Sequence, residues 1–166
     1  MPTLAKRKAK EMVVLGIDPG IERLGWGLVK KNASNSERLD SGVKKTSQKK
    51  ATPERLYEIE EFMDNLLSDK KPDLVSIEKL FFSKNVKTAL LIGEVRGVIL
   101  AVTQKHRIPI REFSPSEIKI AVCGYGQADK KSVAEMLRLQ IEFPQRKMID
   151  DETDALACAL CGIYSR

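Results

Sequence analysis

Two short apolar runs constrain this chain more than anything else in it: VVLGID at 13–18 and DLVSIE at 73–78. A five- or six-residue apolar run is typical of a strand buried in a sheet. Each run ends on a carboxylate, Asp18 in the first and Glu78 in the second. A charge is costly to desolvate, so an acid closing a buried strand is a poor structural choice. It suits a group that projects into a site at the edge of the sheet.

The rest of the pattern organises around those runs. Pro19-Gly20 stops the first, and LGWGLVK (24–30) and the polar stretch 37–44 read as two further strands joined by a turn over 32–36. A basic loop, 44–51, leads to Thr52-Pro53, an N-cap and first-turn proline for a helix carrying Leu56, Ile59, Met63, Leu66 and Leu67. That helix ends within 68–72. Residues 86–105 read as a long helix whose apolar side chains wrap most of its circumference, as in a helix covered by a second subunit. Gly93 and Gly97 would permit close backbone approach there. A fifth strand is expected over 108–112, and Ser114-Pro115-Ser116-Glu117 is a capping box. Gly124 and Gly126 break the chain, Asp129 caps a helix that Pro144 ends, and a last helix spans 150–163. Three strands followed by alternating β and α segments predict an α/β fold, a mixed sheet covered by helices.

At 166 residues, with 42% hydrophobic and 31% charged residues, the chain is expected to form one globular domain over 12–166, preceded by a flexible basic tail, 1–11. No apolar run approaches the ~18–20 residues of a membrane span, and the basic N-terminus has no signal-peptide core behind it. Three cysteines without framework spacing fit a reducing, cytoplasmic setting. Cys158 and Cys161 form a CxxC inside an apolar helical pattern and read as small core residues. His106, the only histidine, sits at a helix end and reads as a surface residue complementing the dipole. The net charge is +6, and Lys6, Arg7, Lys8 and Lys10 against Glu11 supply half of it. A polyanionic partner is consistent with that balance. Lysines 44, 45, 49, 50, 130 and 131 are candidate phosphate contacts or ordinary solvated surface.

A second acidic pair, Asp151 and Asp154, stands three residues apart on the last helix and shares one face. Two strand-end carboxylates with such a pair form an oxygen-rich set, the kind preferred by Mg2+ or Mn2+. The same residues have plainer readings: Asp150, Asp151 and Glu152 suit a helix N-terminus, and Asp18 before Pro-Gly suits a turn. Lys79, next to Glu78, could pair with it or face a bound polyanion.

Four ordered blocks, GIDPGIERLGWG (16–27), SIEKLFFSKNVKTALLIGEVRG (76–97), SPSEIKIAVCGYGQADKKSV (114–133) and DDETDALACAL (150–160), resemble the bacterial RuvC family of Holliday junction resolvases. The match runs through nearly everything from Val13 to Ile163. The resemblance implies an RNase H-like fold with a five-stranded mixed sheet flanked by helices, acting as a homodimer. It implies Mg2+-dependent paired hydrolysis of two symmetric strands at a four-way DNA junction, with two ions per subunit that Mn2+ could replace. Cleavage would leave 5′-phosphate and 3′-hydroxyl ends, in recombination and repair, alongside a branch-migration helicase complex. Asp18, Glu78, Asp151 and Asp154 correspond to the metal-binding carboxylates, the DxxD spacing before ALA choosing Asp151 among three adjacent acids. Lys119 and Lys130 correspond to basic residues that contact DNA, and Phe81 to the aromatic that enters the junction; Lys84 and Lys131 join them as DNA-binding candidates. The basic tail before Met12 and the stop at Arg166 depart from the family pattern and leave the acids untouched.

Three other readings compete. A non-catalytic junction-binding module would lack one or more acids, and none is missing. A sugar-kinase or chaperone-like ATPase needs two lobes and about twice this length. Another RNase H-like nuclease, cutting RNA–DNA hybrids, has no use for the apolar circumference of helix 86–105.

Overall fold

The two acid-ended runs lie side by side in the middle of the sheet. The computed structural model describes residues 11–80 and 85–165. In it, β1 (Met12–Asp18), β2 (Arg23–Lys31), β3 (Ser36–Lys45), β4 (Leu74–Glu78) and β5 (Ile110–Phe113) form one five-stranded sheet in the order β3-β2-β1-β4-β5. β1 pairs antiparallel with β2, and β2 with β3; β1–β4 and β4–β5 are parallel. The helices are α1 (Thr52–Lys70), α2 (Val86–Lys105), α3 (Pro115–Cys123), α4 (Lys130–Gln140) and α5 (Asp150–Tyr164).

Strand alternation sends successive side chains to opposite faces. Leu15 and Ile17 of β1 and Val75 and Ile77 of β4 pack with Ile59 and Met63 of α1 and Val95 and Ile99 of α2. Val14 and Leu74 face the other way, into a second core with Leu156 and Leu160 of α5 and with α3 and α4. The residues two positions on, Gly16 and then Asp18, and Ser76 and then Glu78, share that α5 face. Helix α5 lies almost on the backbone of the sheet because the positions beneath it are glycine. A Cβ on Gly16 would stand 2.0 Å from the Ala155 carbonyl oxygen, and one on Gly25 1.9 Å from that of Asp151. Ser76 Oγ donates to the Cys158 carbonyl at 2.8 Å, fixing the same approach from β4.

Several boundaries differ from the sequence reading for identifiable reasons. Helix α1 is capped at Ala51, not Thr52; the Ala51 N–H donates to Glu54 Oε2 at 2.9 Å, so the third helical residue supplies the cap. β5 begins at Ile110 because Pro109 has no N–H for the ladder. Helix α4 ends at Gln140, well before Pro144, because Ile141 turns extended and buries its side chain in the core. Among the described residues, an added Cβ on Gly93 would meet only Leu80, at 3.7 Å, and one on Gly97 nothing within 4 Å, so the helix is open at both glycines within this chain. The Ser114–Glu117 capping box and the Asp129 cap form as read. Cys158 and Cys161 are free thiols buried in α5, and burial pushes Cys158 up to about 12. His106 ends α2 with Nε2 2.9 Å from Asp64 Oδ1, tying that end to α1. Most of the predicted basic tail, residues 1–10, lies outside the described residues.

Candidate active site

The parallel register decides which acids meet. Ile17 stands opposite Ile77, so Asp18 and Glu78 leave the adjacent ends of β1 and β4 together on the α5 face. Across the other edge of β1, Asp18 pairs with Gly25 of β2, and the Asp151 backbone rests on that glycine. The first turn of α5 is thereby held over the ends of the two strands. Asp154, one turn on, completes the group.

The acids interact strongly. Burial, with the charges of Asp154, Glu78 and Asp151, pushes Asp18 up to about 8, and Lys130 only partly offsets this. Glu78 is raised by burial and by Asp154, against Lys130, Arg96 and Lys119. Asp154 is raised by burial, opposed by Lys130. Lys130 Nζ donates to Asp154 Oδ2 at 3.4 Å and stands 4.0 Å from Asp150 Oδ2. Arg23 Nε lies 3.1 Å from Asp151 Oδ2 but off the hydrogen-bond line, and that buried oxygen accepts no hydrogen bond.

Two clefts meet at Glu78. One, of about 250 Å3, is lined by Glu78, Asp154, Lys119 and Lys130 over an apolar floor that includes Val133 and Ala157. The other, of about 190 Å3, is lined by Asp18, Glu78, Lys79, Leu80, Ile92 and Arg96. Arg96, buried on α2, donates to the Glu78 carbonyl and to the Glu112 carboxylate, fastening the ends of β4 and β5. Among the described residues, no three acidic, cysteine or histidine side chains are already arranged to grip an ion. The donor set nonetheless fits a hard divalent cation: all-oxygen ligands, a buried Asp151 oxygen that accepts no hydrogen bond among the described residues, and an Asp18 whose carboxyl is pushed up by burial and by the charges of its acidic neighbours.

The four sequence-predicted acids therefore come together, with Lys119 and Lys130 beside them. Lys131 does not line the cleft; it points to solvent, 4.0 Å from Glu135. Lys50 is held by Glu58, and Lys79 lies 3.8 Å from Glu117 and does not pair with Glu78. Asp150 is largely exposed, its side chain 82% accessible, whereas that of Asp151 is 20% accessible. Phe81 and Lys84 fall outside the described residues. Sequence reasoning missed Arg96 and Arg23, and it gave Glu152 only as a helix N-terminal acid, whereas it is buried and engaged by Arg146 and Ser41. Only the position of Arg96 in an apolar stretch could have singled it out.

The family model described as crossover junction endodeoxyribonuclease RuvC matches residues 14–162. A protein of that name from Alkaliphilus metalliredigens is 44% identical over 154 residues, covering 93% of this chain and 94% of that protein. Its counterpart from Petrotoga mobilis is 45% identical over 150 residues, covering 90% and 92%. Among solved structures, Thermus thermophilus RuvC in complex with Holliday junction substrate superposes with a TM-score of 0.86 at 33% identity, over 92% of this chain and 93% of that one.

Proposed function

The chain belongs to the RuvC family of crossover junction endodeoxyribonucleases, and on that premise we propose how its own residues perform the reaction. The protein is an RNase H-like nuclease that resolves Holliday junctions, and nucleases of this family depend on a metal ion. We assign Asp18, Glu78, Asp151 and Asp154 as the residues that hold it, with Mg2+, two ions per subunit, as the cofactor. The observation that carries this assignment is the meeting of two strand-end acids with the first turn of α5 over Gly25.

When bound, the cations supply Lewis-acid stabilisation and an activated water for an in-line phosphodiester displacement. The chain's side chains do the rest. The four carboxylates set where positive charge would settle, and a cation there would offset the mutual repulsion that raises Asp18. Lys119 and Lys130, at the cleft that Glu78 and Asp154 line, meet the charge of the scissile phosphate. Lys130 Nζ stands 3.4 Å from Asp154 Oδ2, so the same ammonium borders both the acids that would hold a cation and the place a phosphate would occupy. Attack by water leaves 5′-phosphate and 3′-hydroxyl ends. Phe81, three residues past Glu78, is assigned by resemblance as the wedge that stacks on a junction base, with Lys84 and Lys131 as phosphate contacts.

Two symmetric cuts call for two sites, and α2 supports a homodimer. Val95, Ile99 and Val102 face the core, while Val86 and Leu90 of the same helix are 66% and 63% exposed. The basic N-terminal segment adds sequence-independent affinity for DNA, and a branch-migration helicase is the partner that the family role calls for. Among the described residues no helix is long and apolar enough to cross a membrane. Incubation of synthetic four-way junction, linear duplex and RNA–DNA hybrid with Mg2+ or EDTA tests the reading. Paired nicks in the junction alone, only with Mg2+, are expected; cutting of the hybrid in preference would overturn it.

A further inference from the structure

The first turn of α5 carries a third acid that faces away from the cleft. Glu152 is 1% exposed, one residue after Asp151 and two before Asp154. At the third helical position a glutamate commonly reaches back to the N–H of the N-cap. Here it does not, and Ile149, at the N-cap, offers no side-chain bond. Glu152 turns inward instead. Ser41 Oγ, from the middle of β3, donates to Oε1 at 2.6 Å. Arg146, from the segment between α4 and α5, donates through Nη1 to Oε2 at 2.8 Å and through Nη2 to Oε1 at 2.6 Å, a two-toothed fork. Nη2 also donates to the Ser41 carbonyl at 3.2 Å, and Arg38 Nη1 to Ser41 Oγ at 3.1 Å.

A buried carboxylate left without these partners is strongly unfavourable, so the turn can settle only where all of them reach it. Rotation of α5 about its axis, or a slide along the sheet, would break the fork and move Asp151 and Asp154 with it. The glycine contacts under Asp151 and Ala155 bring the helix down onto the sheet, and the fork ties its first turn to β3 and to the segment that precedes it.

We infer that Glu152, with Arg146 and Ser41, is a positioning unit that orients Asp151 and Asp154 for the cation. This inference rests on the reading of those two acids as ligands. Residues that orient metal ligands typically change affinity by about 10–100-fold when removed.

The test is calorimetric titration of the whole chain with Mn2+, without DNA, well below the melting temperature. Wild type is compared with Glu152→Gln, Ser41→Ala, Arg146→Lys and Asp154→Asn. Glu152→Gln is expected to weaken Mn2+ binding about tenfold, with smaller losses in the same direction for Ser41→Ala and Arg146→Lys. Asp154→Asn should weaken it most. If Asp154→Asn loses the ion while the other three bind it as wild type does, the positioning role is overturned and only a contribution to folding remains. If Asp154→Asn itself binds normally, the ligand assignment beneath the proposal is overturned. Should Glu152→Gln fail to fold, Ser41→Ala and Arg146→Lys decide the matter, because each keeps the Glu152 charge and removes or weakens one partner.

Discussion

Asp154→Asn keeps the size of the side chain and removes the charge that Lys130 balances in the metal-free protein. We expect cleavage to fall by about 100-fold or more with junction binding near wild type; gel-shift and cleavage assays on one preparation check both. Asp18 makes a prediction in pH. Its folded value of about 8 exceeds the ordinary 3.8, so between those values the folded chain holds a proton that the unfolded chain has lost. Stability of the metal-free protein therefore falls as pH rises through that window. Thermal melts in EDTA should show this fall, Asp18→Asn should flatten it, and added Mg2+ should reverse it for the wild type. A wild-type melt in EDTA that rises from pH 5 to pH 8 would contradict the assigned crowding. Phe81→Ala is expected to lose junction resolution while keeping its melting temperature, and Phe81→Tyr to recover part, since base stacking is worth about 1–3 kcal/mol and tolerates any base. Asp18 and Glu78 were legible as candidate site residues because each ends a buried run. Glu152 was not: its environment depends on Ser41, 111 positions away, and locally it looks like any first-turn acid.

Helix α5 carries half of the acidic group, and its seat on the sheet is made by small residues. Gly25→Ala would set a Cβ 1.9 Å from the Asp151 carbonyl oxygen, a contact that backbone must relieve by moving. We expect a loss of stability of several degrees in melting temperature and a loss of cleavage larger than the unfolded fraction explains. Gly97→Ala meets nothing within 4 Å among the described residues, so it is expected to leave the fold of the monomer intact and serves as the control. The strands, their order of appearance and the helix over 86–105 were readable from period and punctuation. The reason for glycine at 16, 25 and 27 was not, because each is filled by a helix more than 120 positions later in the chain.

For the whole molecule, the outward half of α2 is the feature that calls for a partner. Leu90→Glu places a charge on an exposed position while leaving Val95 and Ile99 in the core, so it separates assembly from folding. Sedimentation of the wild type is expected to give a dimer at micromolar concentration, and the variant a folded monomer that nicks junctions without coordinated second cuts. A wild type that sediments as a monomer would remove the basis for paired cutting. The apolar circumference of α2 was plain in the sequence. Which part of it turns outward was settled by how α2 lies against α1: Leu91 packs against the core with α1, and Leu90, one residue earlier, does not.

Local chemistry was enough to identify the sheet-forming runs, the capped helices and four candidate acids, because periodicity, turn residues and a charge at the end of a buried strand act over a few residues. The parallel pairing of β1 with β4, the glycine seat of α5 and the anchoring of Glu152 join segments roughly 60 to 140 positions apart. Contacts at that range come from packing, and no window of sequence carries them. The acids were therefore visible one by one, and their convergence into a site that repels its own charges arose only when the helix was laid on the strands.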